Sequence, residues 1–333
     1  MLPRRMVMAE APVTQSTASA PATVEPTGAE TTAWSRFVES DVLYSFTRSP
    51  VTVTAAVVTA IFILSAIFAP LVAPHNPFDL ASIDLLDSNL PPMWMEGGDP
   101  RFFLGTDDQG RGILSTIIFG SRISLLIGFA SVVLATVLGV GLGLLSGFVG
   151  GVVDAFIMRV AEIQLSFPVI LTALLIDGVI RGVLNVEKSG ELAYWILILS
   201  IGISNWVQFA RTVRGSTLVE RNKEYVQAAQ VIGIHPTLMV LRHILPNVMG
   251  PVLVIATIQL AVAILSEATL SFLGVGMPPT EPSLGTLIQI GNDYLFSGEW
   301  WMVISPGIAL AILVLAVNLL GDWLRDALNP KLR

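Results

Sequence analysis

The sequence predicts an all-α polytopic membrane protein with six transmembrane helices. Three observations predict it. Of 333 residues, 53% are hydrophobic and only 13% are charged, whereas a soluble domain carries about 25% charged residues. The mean hydropathy is +0.74, more apolar material than one soluble core absorbs, because such cores stop growing at a few hundred residues. The apolar residues also gather into runs long enough to cross a bilayer, which takes about 20 residues.

The chain divides in order as follows. Residues 1–36 are rich in Ala, Thr, Pro, Ser and Glu, lack apolar periodicity and read as a disordered cytoplasmic tail. No apolar stretch precedes the small residues at Ala18–Ala22, so a cleaved leader is not expected. Residues 37–73 form the approach to the first span, whose apolar run is Val51–Ala73. Residues 74–121 form a long outer loop containing Trp94, of a length that is usually functional or disordered. Residues 122–321 hold the other five spans: Arg122 to Asp154, then 155–180, 192–212, 247–274 and 300–321. Residues 322–333 close the chain as a cytoplasmic tail.

The third span is the least regular, with Arg159, Glu162, Pro168 and Asp177 inside it. A proline there removes a backbone hydrogen bond and kinks the helix. Glu162 and Pro168 are therefore pore or gating candidates, set against an interfacial ion pair and a simple packing bend. Glu267, near the end of the fifth span, is a third candidate, with a gating or structural role preferred to direct substrate contact.

Orientation follows from the basic residues. Of 18 Lys and Arg, Arg101, Arg111, Arg122, Arg181 and Lys188 fall opposite the N-terminus and the rest on its side. That bias places both termini in the cytoplasm. Other classes are excluded by composition. There is no cysteine for thiolate chemistry. His75, His235 and His243 are too scattered for a metal cage, and a net charge of −7 argues against nucleic acid. No phosphate-binding glycine loop is present. No Ser/His/Asp cluster supports a membrane enzyme.

The inner connection, 213–246, is the most informative segment. Residues 218–232 carry good helix formers, with Tyr225, Ala229 and Ile232 on one face. Gly233 stands where a helix end wants a left-handed residue, and Pro236 suits the first turn of a new helix. Leu238, Leu241 and Leu245 fall on one face of that second helix, and Pro246 closes it. Two short amphipathic helices at an angle suit a groove on a partner, or alternatively an interfacial position in membrane lipid.

The run Gln227-Ala228-Ala229, then Gly233, then His243-Ile244-Leu245-Pro246 resembles the EAA loop of bacterial ABC importer permeases, with Gln227 where Glu is usual and His243 where Ile is usual. Leu104-Gly105-Thr106-Asp107-Asp108-Gln109-Gly110-Arg111 is similar to a loop signature of the dipeptide/oligopeptide/nickel subfamily, with Gly112 where Asp often follows. Ser266–Gly274 with Pro278-Pro279, and Asn318–Pro330, look like that subfamily's fifth-span ending and tail, the C-type subunit above all. The resemblance implies the type I ABC importer transmembrane fold in the bacterial inner membrane. It implies four kinds of partner: a second homologous permease, two ABC ATPase subunits, a periplasmic substrate-binding protein and membrane lipid. ATP and Mg would be bound by the ATPases, with no cofactor and no catalysis in this chain. Gln227, Ala228, Ala229, Gly233, Leu245 and Pro246 would form the ATPase-coupling elbow, within 224–246. A secondary transporter or channel is the alternative; it would need ion-coupled carboxylates and inverted repeats, and no clear repeat is visible.

Overall fold

A computed structural model describes residues 46–79, 83–184 and 190–327. The tail at 1–36, Lys188 and the last six residues of the C-terminal tail lie outside the described residues. Among those described there is no strand, only an isolated bridge between Thr106 and Gly112.

The chain runs through α1 (Pro50–Ile67), α2 (Ala69–Val72), α3 (Ile113–Val149), α4 (Gly151–Leu165), α5 (Val169–Leu184) and α6 (Gly190–Glu220). It continues through α7 (Glu224–Val231), α8 (Pro236–Met239), a π-helical turn (Val240–Ile244), α9 (Leu245–Phe272), α10 (Leu284–Tyr294) and α11 (Trp301–Ala327). Helix α1 starts where Ser49 accepts the Thr52 N–H and Pro50 occupies the first turn. Five helical segments are long and apolar enough to cross a membrane, among them Pro236–Phe272 as one piece, and the α4–α5 pair makes a sixth if it counts as one span.

That pair corrects the third span. The sequence suggests one kinked helix over 155–180, but α4 and α5 are separate and bent by 100°. The chain breaks at Ser166-Phe167-Pro168, where proline supplies no N–H and forces the residue before it out of helical geometry. Each half is only about 22–24 Å long at ~1.5 Å per residue, short of a ~30 Å hydrocarbon core.

Helix α3 also differs from expectation. It begins at Ile113, inside what reads as loop, and its 37 residues extend about 56 Å. It therefore projects well beyond the bilayer, which is how Arg122 is accommodated within it. Its main neighbour is α6, and glycines set the approach. A Cβ at Gly139 would lie 2.4 Å from the Phe209 Cβ, one at Gly143 2.6 Å from the Ala210 carbonyl, and one at Gly147 2.8 Å from the Thr217 Cβ. Without a hydrophobic drive between helices in lipid, such small-residue stripes permit the close van der Waals contact that holds spans together. Buried Phe209, Ala210 and Val213 fill the other side of the contact.

Polar contacts clamp one end of this pair and fix the start of α3 at the other. At the end of α6 that leads to the 213–246 connection, Arg214 forms a two-pronged pair with Asp154 at 2.5 and 2.6 Å, and Ser146 donates to the same carboxylate. Arg221 donates to the Gly147 and Phe148 carbonyls at 3.0 and 3.2 Å, satisfying acceptors that the end of α3 leaves open. At the opposite end, the loop before α3 is an ordered cap rather than a loose connection. Thr106 donates to the Asp87 carbonyl at 2.6 Å, and Trp301 of α11 donates to the Thr106 carbonyl at 3.3 Å. The buried pair Arg111–Asp107 meets at 2.7 Å.

His75 fixes the base of that cap. Its Nε2 accepts the Gly112 N–H at 3.0 Å, so its proton sits on Nδ1, 3.2 Å from the Ser115 hydroxyl. Burial pushes its pKa below the ordinary 6.5, partly offset by the Asp107 carboxylate. A base held below its unfolded value stabilises the fold above that value and less below it, because the unfolded chain then binds more protons. The cap should therefore loosen as pH falls below about 6.5. The protection of the Gly112 amide against hydrogen exchange, taken relative to the intrinsic rate at each pH, should be lower at pH 5 than at pH 7.5, and His75→Gln should flatten the difference. An equal pH response in that variant would refute the assignment.

Candidate functional site

Two regions place the residues singled out by the sequence. The first is the inner elbow. Helix α6 ends at Glu220 and the chain turns through Arg221-Asn222-Lys223. The helix expected over 218–232 is thus broken, and only Glu224–Val231 is continuous beyond the turn. Gly233 has φ +83°, the left-handed end that the sequence anticipates. The Ile234 N–H then returns to the Ala229 carbonyl at 3.1 Å and the Gly233 N–H to that of Gln230 at 3.0 Å. Pro236 opens the next helix, as expected, but that helix does not stop at Pro246. It passes through the π turn directly into α9, with Pro246 in the first turn of α9. Proline is tolerated there because its missing N–H costs little at a helix start. The expected second short helix is therefore the inner extension of the fifth span.

Tyr225 joins these pieces. Its hydroxyl donates to Glu220 at 2.6 Å and accepts from Asn247 at 3.3 Å. Asn247 also donates to the His243 carbonyl at 2.6 Å. Burial, and then the neighbouring Glu220 carboxylate, push the phenol up to about 12, so it remains a neutral donor. Gln227 donates to the Asn222 carbonyl at 3.1 Å, bracing the turn before α7.

The predicted face of α7 is only partly right. Val226 and Ala229 are buried with Met239, Ile244 and Val248, whereas Ile232 is 78% exposed. Gln227, Ala228 and Gly233 are exposed, Leu245 is half-buried and Pro246 exposed. A braced elbow thus turns Val231, Ile232, Leu238 and Leu241 outward, four large apolar side chains on one connection, the kind of exposure that marks a contact surface.

The second region is the outer loop between α9 and α10, residues 273–283. Glu267 lies beneath it, fully buried. Its two oxygens accept from Ser124 of α3 and Ser271 of α9, each at 2.7 Å. Ser124 in turn accepts the Leu284 N–H, and Ser271 the Met277 N–H, both at 3.3 Å. Two arginines hold the loop from outside it: Arg181 donates to the Val275 carbonyl at 3.0 Å and Arg111 to that of Pro279 at 3.1 Å. Arg181 is itself fixed by the buried Asp177 at 2.8 Å. One carboxylate and two guanidiniums therefore set the shape of an irregular segment that joins three spans.

Of the other candidates, Glu162 is exposed and paired with Arg159 at 3.3 Å, and Pro168 marks the break between α4 and α5. Neither hydrogen-bonds to Glu267, Ser124 or Ser271 among the described residues. Ser271, one turn beyond Glu267, is legible from its i+4 spacing. Ser124, Arg111 and Arg181 carry no local signal, and the sequence reading missed their roles.

The family model described as binding-protein-dependent transport system inner membrane component matches residues 139–333. The model for the N-terminal TM domain of oligopeptide transport permease C matches residues 40–92. The chain is 39% identical over 274 residues to the di/tripeptide transport system permease protein DppC of Pseudomonas aeruginosa, covering 82% of this chain and 86% of that one. It is 40% identical over 282 residues to the dipeptide transport system permease protein DppC of Haemophilus influenzae, covering 84% and 91%. It is 35% identical over 293 residues to the oligopeptide transport system permease protein OppC of Bacillus subtilis, covering 88% and 90%. A chain from an inward-facing structure of the MetNI methionine ABC transporter superposes with a TM-score of 0.52 at 20% identity, over 65% of this chain and 98% of that one. At that identity the likeness concerns the fold.

Proposed function

Because this chain belongs to the family of binding-protein-dependent transport system inner membrane components and is the permease subunit of an ABC transporter, we propose that it carries short peptides across the bacterial inner membrane. It does so beside a second homologous permease. A binding protein delivers the peptide at the outer face, and two ATPase subunits, holding ATP and Mg, drive the cycle from the cytoplasm. Both termini lie on that inner side. The peptide assignment rests on the relatives named DppC and OppC, which cover most of the chain.

The observation that carries the coupling role is the braced elbow with its outward apolar face. In this reading Ala228 and Gly233 permit close approach by an ATPase subunit. Val231, Ile232, Leu238 and Leu241 fill its cleft, and Ala229, Leu245 and Pro246 anchor the elbow to the spans. Gln227 acts as an uncharged brace.

Transport by the assembled system in vesicles is the test. Peptide uptake is expected with ATP and absent with a non-hydrolysable analogue. Uptake by this chain alone, driven by a proton gradient, would overturn the reading. At the elbow, Gly233→Val has open space around its side chain, with no atom within 4 Å of a Cβ, but places a branched residue at positive φ at a cost of roughly 1–3 kcal/mol. Ala228→Asp avoids the backbone strain and puts a charge into the docking face. Both are expected to cut ATPase co-purification at least tenfold while leaving the chain in the membrane. Retention of the ATPases by Ala228→Asp would count against this elbow as the contact.

A further inference from the structure

At the outer end of the α3–α6 pair lies an open cleft of about 970 Å³, at the upper end of the ~300–1,000 Å³ typical of small-molecule sites. Its walls are aromatic. Phe78 and Phe119 meet edge to face at 5.3 Å, and Trp195 is 65% exposed. Two opposite charges line the same space, Arg122 from α3 and Glu281 from the 273–283 loop, both exposed. Tyr194 lines the same space, near enough to both Glu281 and Arg122 to feel their charges.

Arg122 is distinguished by what it does not do. Arg111, Arg181, Arg214 and Arg221 each hold a carbonyl or carboxylate of the fold. Arg122 makes no hydrogen bond or ion pair among the described residues. Arg122 stands near the start of α3, on the part of the helix that projects beyond the hydrocarbon core, so its exposed guanidinium stays in water and is open to a ligand. Neither an anion nor a cation alone matches a cleft that offers one positive and one negative group over apolar walls. A zwitterion with apolar substituents does.

We propose that this cleft is a transient binding site for short peptides, in which Glu281 takes the α-ammonium, Arg122 takes the α-carboxylate, and Phe78, Phe119 and Trp195 receive the side chains. The proposal rests on the peptide-import reading above and adds the site. A peptide of two or three residues extends about 7–11 Å, which keeps its two terminal charges apart and lets each meet a separate group of the cleft. The two termini are the groups every short peptide shares, so charges fixed on the termini with unspecific aromatic walls give recognition that tolerates sequence. Arginine serves the carboxylate better than lysine would, through its two-pronged geometry.

The test uses the complete transporter, with its partner permease, ATPases and binding protein, reconstituted in vesicles. Radiolabelled Ala-Phe and Ala-Ala-Phe serve as probes. With p-benzoylphenylalanine in place of Trp195, light should attach the labelled peptide to this chain. Arg122→Gln or Glu281→Gln should weaken capture and raise the half-saturating peptide concentration for uptake about tenfold or more, the equivalent of one charge-assisted hydrogen bond. Arg122→Lys should restore part of the loss. Immunoblots of the vesicles check that each variant is inserted. Normal peptide uptake with no capture and unchanged kinetics in both variants overturns the site while leaving the import reading intact. Capture of phospholipid or of the partner permease in place of peptide also overturns it, marking a lipid site or a subunit interface. Failure of the unmodified transporter to take up either peptide overturns the import reading itself.

Discussion

Gly143→Leu is expected to abolish the folded protein. The added side chain would start 2.6 Å from the Ala210 carbonyl and 2.8 Å from the Val213 Cβ, and neither is the free end of a flexible side chain. Relief requires α3 and α6 to separate along their length. Overpacking a yielding core typically costs 1–3 kcal/mol, and here a backbone atom is one of the obstacles, so roughly 3 kcal/mol or more is expected. Gly141→Leu is the matched control. It lies half a turn away on the same helix, and a Cβ there meets nothing within 4 Å, so its effect should stay within about 0.5 kcal/mol. Monodisperse yield and thermal stability in detergent should fall sharply for the first variant and scarcely for the second. Equal behaviour of the two would show that the glycine contact does not hold this pair together.

Glu267→Ala carries the second large effect. The carboxylate is fully buried, and its removal strips Ser124 and Ser271 of their acceptor and leaves a cavity. An unsatisfied buried donor costs about 1–3 kcal/mol, and a truncated buried side chain adds a cavity term. About 3 kcal/mol in total is expected, with the 273–283 loop released. Glu267→Gln keeps the size and one carbonyl acceptor. Either serine hydroxyl can rotate to accept from the new amide, so a loss nearer 1 kcal/mol is expected. Protease cleavage of the outer loop and thermal unfolding should rank the variants Ala worse than Gln worse than wild type. An alanine variant with unaltered stability and transport would leave the carboxylate without the structural role assigned to it.

What the sequence disclosed and what it hid separate along a physical line. Apolar run length located the spans, because bilayer thickness imposes it on any helix. Backbone chemistry located Gly233 and Pro236, because left-handed φ and a missing N–H act within a single residue. The break at Pro168 was half legible: proline announces an interruption, but the 100° angle comes from how the flanking helices pack. Charge misled at the start of α3, since Arg122 reads as the edge of a span although the helix begins nine residues earlier and projects out of the membrane. At the elbow, Pro246 reads as a stop and serves as a first-turn residue, because no periodicity records that α9 continues inward. The outer loop's anchors were hidden altogether. Arg111 reaches Pro279 across 168 positions and Arg181 reaches Val275 across 94, separations that leave no local pattern.

The α3–α6 pair has a mechanical consequence. Glycine contact and the Asp154–Arg214 and Arg221 clamps make two helices behave as one stiff rod, roughly 45 Å long over the shared length of α6. The elbow is fastened to the inner end through Glu220 and Tyr225, while Arg122 and Tyr194 stand at the outer end. A tilt of only about 5° about the midpoint moves each end by about 2 Å in opposite directions. The cleft at one end then needs no chain of relays to respond to a displacement of the elbow, because both are ends of the same lever.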